Sequence, residues 1–310
     1  MRTECSREIG SSAALSPLIP RLLTTSRGPV EYVIQGDGPA VLVLHGALGG
    51  YDQGLILAHT IGDAGFRYVS LSRPGYLGTP LSDGRTPTEQ ADLYREVLEA
   101  LGIRAVAVMA VSGGGGSALQ FALSHRDRCW GLVMVSSYCA RIATPLPLGW
   151  YILKLAAHCP PLAAAMRRRA KHDLERSSHR SELRAALRDP ETGPLLRALQ
   201  ASTWDRMVLR FPGTQNDVAT TRSNLCFPLE QLAVPVLVVH GTDDRAVPFA
   251  HAQMLASRAP GAELLAVPGG EHGTIFTHRT QVRARVTQFL RAHTNVSVPA
   301  ILSTPTVACE

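Results

Sequence analysis

The chain is poor in aromatic side chains: Phe, Trp and Tyr make up 5% of its 310 residues. Its core must therefore be packed mainly by Ala, Val and Leu. With 45% hydrophobic residues it can bury one large core, or a core with a smaller appended domain. Cysteine is sparse and unpatterned. The six cysteines stand at positions 5, 129, 139, 159, 226 and 309, with no C-x-x-C pair and no histidine at ligand spacing, so no metal site and no disulfide framework are expected. A reducing, cytoplasmic setting fits that usage. No run approaches the ~20 apolar residues that span a bilayer, so no stable membrane insertion is expected. The N-terminus, MRTECSREIGSSAALSPLIPRLL, interrupts its apolar residues with Glu4, Glu8 and two prolines. It reads as neither a secretory nor a transit segment. The sequon at Asn295 then carries no weight, because glycosylation needs the secretory route.

A net charge of +6 raises the question of a nucleic-acid partner. The excess is local: between Met166 and Arg210 eleven Lys/Arg face six Asp/Glu, a surplus of five. That stretch, RRRAKHDLERSSHRSELRAALR, has helical spacing, few interleaved aromatics and no nucleic-acid-binding module. It reads as a solvated helix face, with an electrostatic funnel for an anionic ligand as the alternative. No nucleic-acid partner is expected.

Seven short apolar runs read as strands: EYVI (31–34), AVLVL (40–44), RYVSL (67–71), AVAVMA (105–110), GLVMVS (131–136), PVLVVH (235–240) and AELLAV (262–267). Most are apolar throughout, as in strands covered on both faces. Helical patterns lie between them, at about 54–64, 88–101, 115–125, 250–258 and 278–292. Thr86-Pro87-Thr88-Glu89 opens the second with a capping box. The alternation predicts an α/β fold with a mainly parallel sheet flanked by helices.

After Ser136 the alternation stops, and it resumes only at Pro235. The residues between are rich in Ala, Leu and Arg, broken by prolines, and hold no convincing strand; a structureless loop of that length is improbable in a compact domain. The spacing predicts an inserted helical lid. Within it WYILKLAAHCPPLAAAM (150–166) is apolar enough to line a pocket, or to touch a membrane. The expected organisation is an N-terminal extension (1–29), the first part of the core (30–138), the lid (139–232), the second part of the core (233–293) and a tail (294–310). Both ends are expected to be poorly ordered.

The stretch VMAVSGGGGS (108–117) carries the chemistry. Glycine costs about 1 kcal/mol relative to alanine within a helix, yet four follow Ser112 where a helix begins. A nucleophile on a sharp strand-to-helix turn needs small neighbours two residues to either side, here Ala110 and Gly114. The Gly113 N–H would face a developing oxyanion at the positive end of the helix, and Gly116 would allow close helix packing. Serine alone is a weak nucleophile and needs a base and an orienting acid. HGTDDRAVP (240–248) and GGEHGTIF (269–276) each follow a strand and supply Asp244 and His272. Asp243 is the reserve for the acid. A second oxyanion donor is expected from LHGALGG (44–50), at the Ala47 N–H, with His45 bonded to the backbone of its own loop.

HGALGG, SRPGYLGT (72–79), AVSGG, HGTDDRAVP and GGEHG appear in the order of the α/β-hydrolase fold family, and the chain resembles its lidded serine hydrolases over about residues 30–292. The resemblance implies an eight-stranded, mostly parallel sheet, an acyl-enzyme route and no cofactor. It implies Ser112 as nucleophile, His272 as base, Asp244 as acid, and the Ala47 and Gly113 amides as oxyanion hole. The first elbow glycine is replaced by Ala110, which is still small. Serine at the elbow argues against epoxide hydrolases and haloalkane dehalogenases. HGALGG lacks the HGGG of many lipases and esterases, the HGGPG of proline iminopeptidases and the proline usual in meta-cleavage-product hydrolases. Lid and triad order still suit that last group, and cofactor-free haloperoxidase-like esterases share the triad.

The expected function is hydrolysis of a small-molecule ester, thioester or diketone C–C bond. Two alternatives remain at this level: a ligand receptor on the same fold with slow or no turnover, and an acyltransferase or perhydrolase using the same residues. The expected partner is a small-molecule substrate, with homo-oligomerisation left open.

Overall fold

The computed structural model describes residues 19–82, 84–146, 148–176 and 181–294. Eight strands form one sheet: β1 (Arg21–Thr25), β2 (Gly28–Gln35), β3 (Ala40–Leu44), β4 (Arg67–Leu71), β5 (Val106–Val111), β6 (Cys129–Val135), β7 (Val236–Gly241) and β8 (Glu263–Val267), in the order β1-β2-β4-β3-β5-β6-β7-β8. β1 and β2 run antiparallel to their neighbours; the pairings from β4 through β8 are parallel. The helices are α1 (Tyr51–Ile61), α2 (Pro87–Ala100), α3 (Gly115–Ser124), α4 (Leu148–His158), α5 (Pro160–Arg176), α6 (Ser181–Arg188), α7 (Thr192–Trp204), α8 (Met207–Arg222), α9 (Ala250–Arg258), α10 (Thr274–Thr277) and α11 (Arg279–His293).

Side chains alternate across the sheet and so feed two cores. Leu42 and Leu44 of β3 join the core formed with α2, α3 and α9; Val41 and Val43 join the one formed with α1 and α11. β3, β6 and β7 are buried at every residue, which is why their sequences, His240 apart, are apolar throughout rather than alternating. α2 starts with the expected box: the Thr86 hydroxyl accepts from the Glu89 N–H, and the Glu89 carboxylate accepts from the Thr86 N–H.

β1 corrects the expectation for residues 1–29. RLLTT pairs in register with β2 from Arg21↔Tyr32 to Thr25↔Gly28, so the sheet begins inside the stretch read as an unordered extension. It is an edge strand, exposed or half-buried along its length, and an edge needs no continuous apolar run. Residues 1–18 and most of the expected tail, 295–310, lie outside the described residues.

Between β6 and β7 the described residues contain five α-helices and no strand. α8 of this insertion interlocks with the core loop 72–79. Pro212 has no N–H to give the helix ladder. Next to it the Gly213 N–H donates to the Gly75 carbonyl (2.8 Å), and the Leu209 carbonyl accepts from Leu77 N–H (2.8 Å). Gly75 has φ +83°, and a Cβ on Gly213 would fall 2.2 Å from the Tyr76 ring. Only glycine lets the loop and the opened helix approach so closely.

Candidate functional site

Ser112 follows β5 directly and opens a short 3₁₀ turn, Ser112–Gly114, that leads into α3. Its φ is +51°, a left-handed conformation that costs a non-glycine residue free energy and that surrounding structure must hold in place. The turn fits because its neighbours are small. Ala110 is fully buried, and a Cβ on Gly114 would lie 2.8 Å from the Leu44 and His45 carbonyls. On Gly116 it would strike the Tyr138 hydroxyl.

The Ser112 hydroxyl lies 3.1 Å from His272 Nε2, and His272 Nδ1 lies 2.8 Å from Asp244 Oδ2. An Nδ1–H donating to the carboxylate leaves Nε2 bare toward the serine. Asp244 follows β7 and is buried; its Oδ1 accepts the Ala246 and Val247 N–H groups at 2.9 and 3.0 Å. Burial opposes its charged form, but hydrogen bonds from His240 and His272, the nearby His272 ring and the Val247 N–H together hold its carboxyl well below the usual carboxylate range. Asp243, the reserve, is exposed and accepts only from the Thr242 hydroxyl at 3.1 Å among the described residues. His240 was not singled out from the sequence. Its Nε2–H donates to the Val247 carbonyl (2.9 Å) and sits 3.3 Å from Asp244 Oδ2, so a second imidazole braces the acid.

The loop after β3 reaches over the turn. A Cβ on Gly113 would be 3.3 Å from the Ala47 nitrogen, so the two amides expected to receive an oxyanion flank one small space. Among the described residues the Ala47 N–H has no hydrogen-bond partner. His45 is buried, with Nδ1–H donating to the Gly46 carbonyl (2.7 Å) and Nε2 accepting the Arg73 N–H (2.9 Å), which is the backbone-bonding role expected of it.

Two ion pairs with buried arginines join the insertion to the core, and neither was legible beforehand. Arg73 is 1% exposed and bonds both oxygens of Asp217 on α8, at 3.0 and 2.5 Å; the Tyr76 hydroxyl donates to the same carboxylate at 2.5 Å. Asp217 Oδ2 lies 2.7 Å from where a Gly113 Cβ would stand. Arg210 of α8 is fully buried and grips Asp52 of α1 at 3.0 and 2.6 Å. Beside the His272 loop, Leu196, Gly269, Glu271, Gly273 and Thr277 line a cleft of about 380 Å³ with the start of α6. Among the described residues no cluster of His, Cys, Asp and Glu is arranged to hold a metal ion.

A family model described as alpha/beta hydrolase fold matches residues 39–279. The chain is 28% identical over 281 residues to 2-hydroxymuconate semialdehyde hydrolase of Pseudomonas putida, covering 89% of this chain and 95% of that protein. It is 30% identical over 123 residues to an uncharacterized hydrolase, YcgS, of Bacillus subtilis, a match that spans only 43% of that protein and 40% of this one. An alpha/beta hydrolase fold protein from Nakamurella multipartita superposes with a TM-score of 0.74 at 31% identity, over 88% of this chain and 99% of that one.

Proposed function

Because the chain belongs to the α/β-hydrolase fold family, whose named relatives here are hydrolases, we propose that it is a serine hydrolase of small-molecule acyl compounds. Ser112 attacks the carbonyl carbon while His272 Nε2 takes the hydroxyl proton. The Ala47 and Gly113 N–H groups receive the oxyanion, and Asp244 stabilises the imidazolium. His272 then protonates the leaving group, giving an acyl-Ser112. A water deprotonated by His272 attacks that ester and releases the acid. The helical insertion serves as the lid that selects the substrate.

The observation that carries this reading is the 3.1 Å approach of Ser112 Oγ to His272 Nε2 at a strained strand-to-helix turn. A carboxylic ester, a thioester or the C–C bond of a diketone suits the same steps. The Pseudomonas putida relative, named as a semialdehyde hydrolase, puts diketone-type substrates beside activated esters in a first screen.

The test is intact-mass analysis after exposure to a fluorophosphonate, on the wild type and on Ser112→Ala. One adduct on the wild type and none on the variant is expected. Ser112→Ala and His272→Ala should also lower the turnover of an activated ester by several orders of magnitude, with little change in ligand affinity. A folded wild-type protein that takes no adduct and shows no turnover would overturn the proposal in favour of a ligand-binding role.

A further inference from the structure

Leu148, Tyr151, Ile152 and Leu155 recur at i, i+3, i+4 and i+7 of α4, a spacing that gathers them on one helix face. A core-facing stripe of this kind is ordinarily buried. Here it meets solvent, with Leu148 76%, Leu155 61%, Tyr151 59% and Ile152 44% exposed. The other side of α4 gives Ala156 and Ala157 to a small cluster with Met207 and Phe211. Both sides of the helix are therefore apolar, and only one is covered. At the start of α8 two further apolar side chains, Val208 and Leu209, next to Met207, are 56% and 48% exposed. Apolar exposure concentrated on one face marks an interaction surface.

The charges beside it select the occupant. From Leu148 to Asp173 the chain carries Lys154, Arg167, Arg168, Arg169 and Lys171 against one acid, Asp173, and all six are exposed. Arg167 of α5 lines a cavity of about 240 Å³ with Ala156 and Ala157 of α4 and Val208 of α8, so the cationic helix reaches the exposed start of α8. Asp205, at the edge of the patch, is paired with Arg206 at 3.0 Å. A second copy of this chain packed on the patch by a two-fold axis would bring the same cations against each other. A bilayer with anionic headgroups satisfies both halves: apolar side chains enter the interface while Lys and Arg meet the headgroups. No helix among the described residues is long and apolar enough to cross a membrane, so α4 lies on such a surface rather than spanning it.

We propose that the open face of α4, with the first turn of α8 and the cations of α5, docks the protein on an anionic lipid surface. The proposal does not depend on the hydrolase reading. It is tested by co-sedimentation of the full chain with vesicles of phosphatidylcholine alone and of phosphatidylcholine mixed with phosphatidylglycerol. Sedimentation with the mixed vesicles, little with phosphatidylcholine, and weakening by added salt are expected. Arg167→Gln/Arg168→Gln/Lys171→Gln should reduce the partition coefficient by about five-fold for each cation removed. Leu148→Gln/Leu155→Gln, at exposed positions that leave the core intact, should reduce it on mixed vesicles without altering the circular dichroism spectrum. The idea is overturned if the wild type binds neither vesicle, or if either variant binds like the wild type. It is equally overturned if the wild type is a dimer in solution that Leu148→Gln/Leu155→Gln converts to a monomer, because a second copy would then cover the patch.

Discussion

Two adjacent aspartates illustrate how burial assigns roles at the scale of the residue. Asp244 is buried, 2.8 Å from His272 and braced by His240, whereas Asp243 is exposed. Asp244→Asn should therefore lower kcat by about 10⁴-fold, while Asp243→Asn leaves it within a factor of a few; steady-state kinetics on one activated ester compares them, and the reverse ranking would refute the assigned acid. Since the Asp244 carboxyl is held below the usual carboxylate range, it stays ionised throughout mild acid. A fall in kcat/KM between neutral pH and about pH 5 must then come from another group. Gly113 is the second test. A Cβ there would stand 2.7 Å from Asp217 Oδ2, an oxygen pinned by Arg73 and Tyr76 and unable to retreat. Gly113→Ala should lower kcat with the fold retained, as judged by circular dichroism. A variant of unchanged kcat would show that the space between the Ala47 and Gly113 amides is not where the oxyanion forms.

At the scale of elements, what the sequence revealed followed the depth of burial. Seven strands were legible because β2 through β8 are largely apolar runs; β1 was not, because an exposed edge strand carries no such run. Ser112, Asp244 and His272 were legible because each follows a strand within a short glycine-bearing motif. The Arg73–Asp217 and Asp52–Arg210 pairs span 144 and 158 residues, and no local pattern encodes a partner that the folding of an intervening insertion brings near. Those pairs also divide the insertion. α8 buries Met207, Arg210, Phe211, Gly213, Thr214 and Asp217, whereas α4 buries Ala156 and Ala157. Local opening tracks such burial. Hydrogen exchange should find the amides of α4 and of α5 up to Asp173 opening well before those of α8, which should exchange with the sheet. Equal protection across the three helices would mean that the insertion opens as one unit.

At the scale of the whole molecule, the loop that carries His45 is where the sheet, the nucleophile turn and α8 meet. Arg73 binds the His45 carbonyl through Nε–H (2.8 Å), His45 Nε2 through its backbone N–H, and Asp217 through its guanidinium. Burial first, and then the Arg73 charge, push the His45 imidazole well below its ordinary value of 6.5; the Gly46 carbonyl works the other way and is outweighed. His59 and His251 are lowered as well, each by burial first. In the unfolded chain these rings take up protons near 6.5, whereas in the folded chain they resist. The stability they contribute is thus complete above that value and is lost as the pH falls toward the folded values. For a fully buried group the loss approaches about 1.4 kcal/mol per pH unit at its steepest. Asp244 does not oppose it in this window, because its carboxylate is ionised in both states. The urea midpoint should therefore fall between about pH 7.5 and about pH 5.5. His45→Gln should be less stable at the higher pH, since the Arg73 network loses its fitted acceptor, but should show a shallower fall. An unchanged slope in that variant would move the pH sensitivity away from His45 and onto the remaining buried imidazoles.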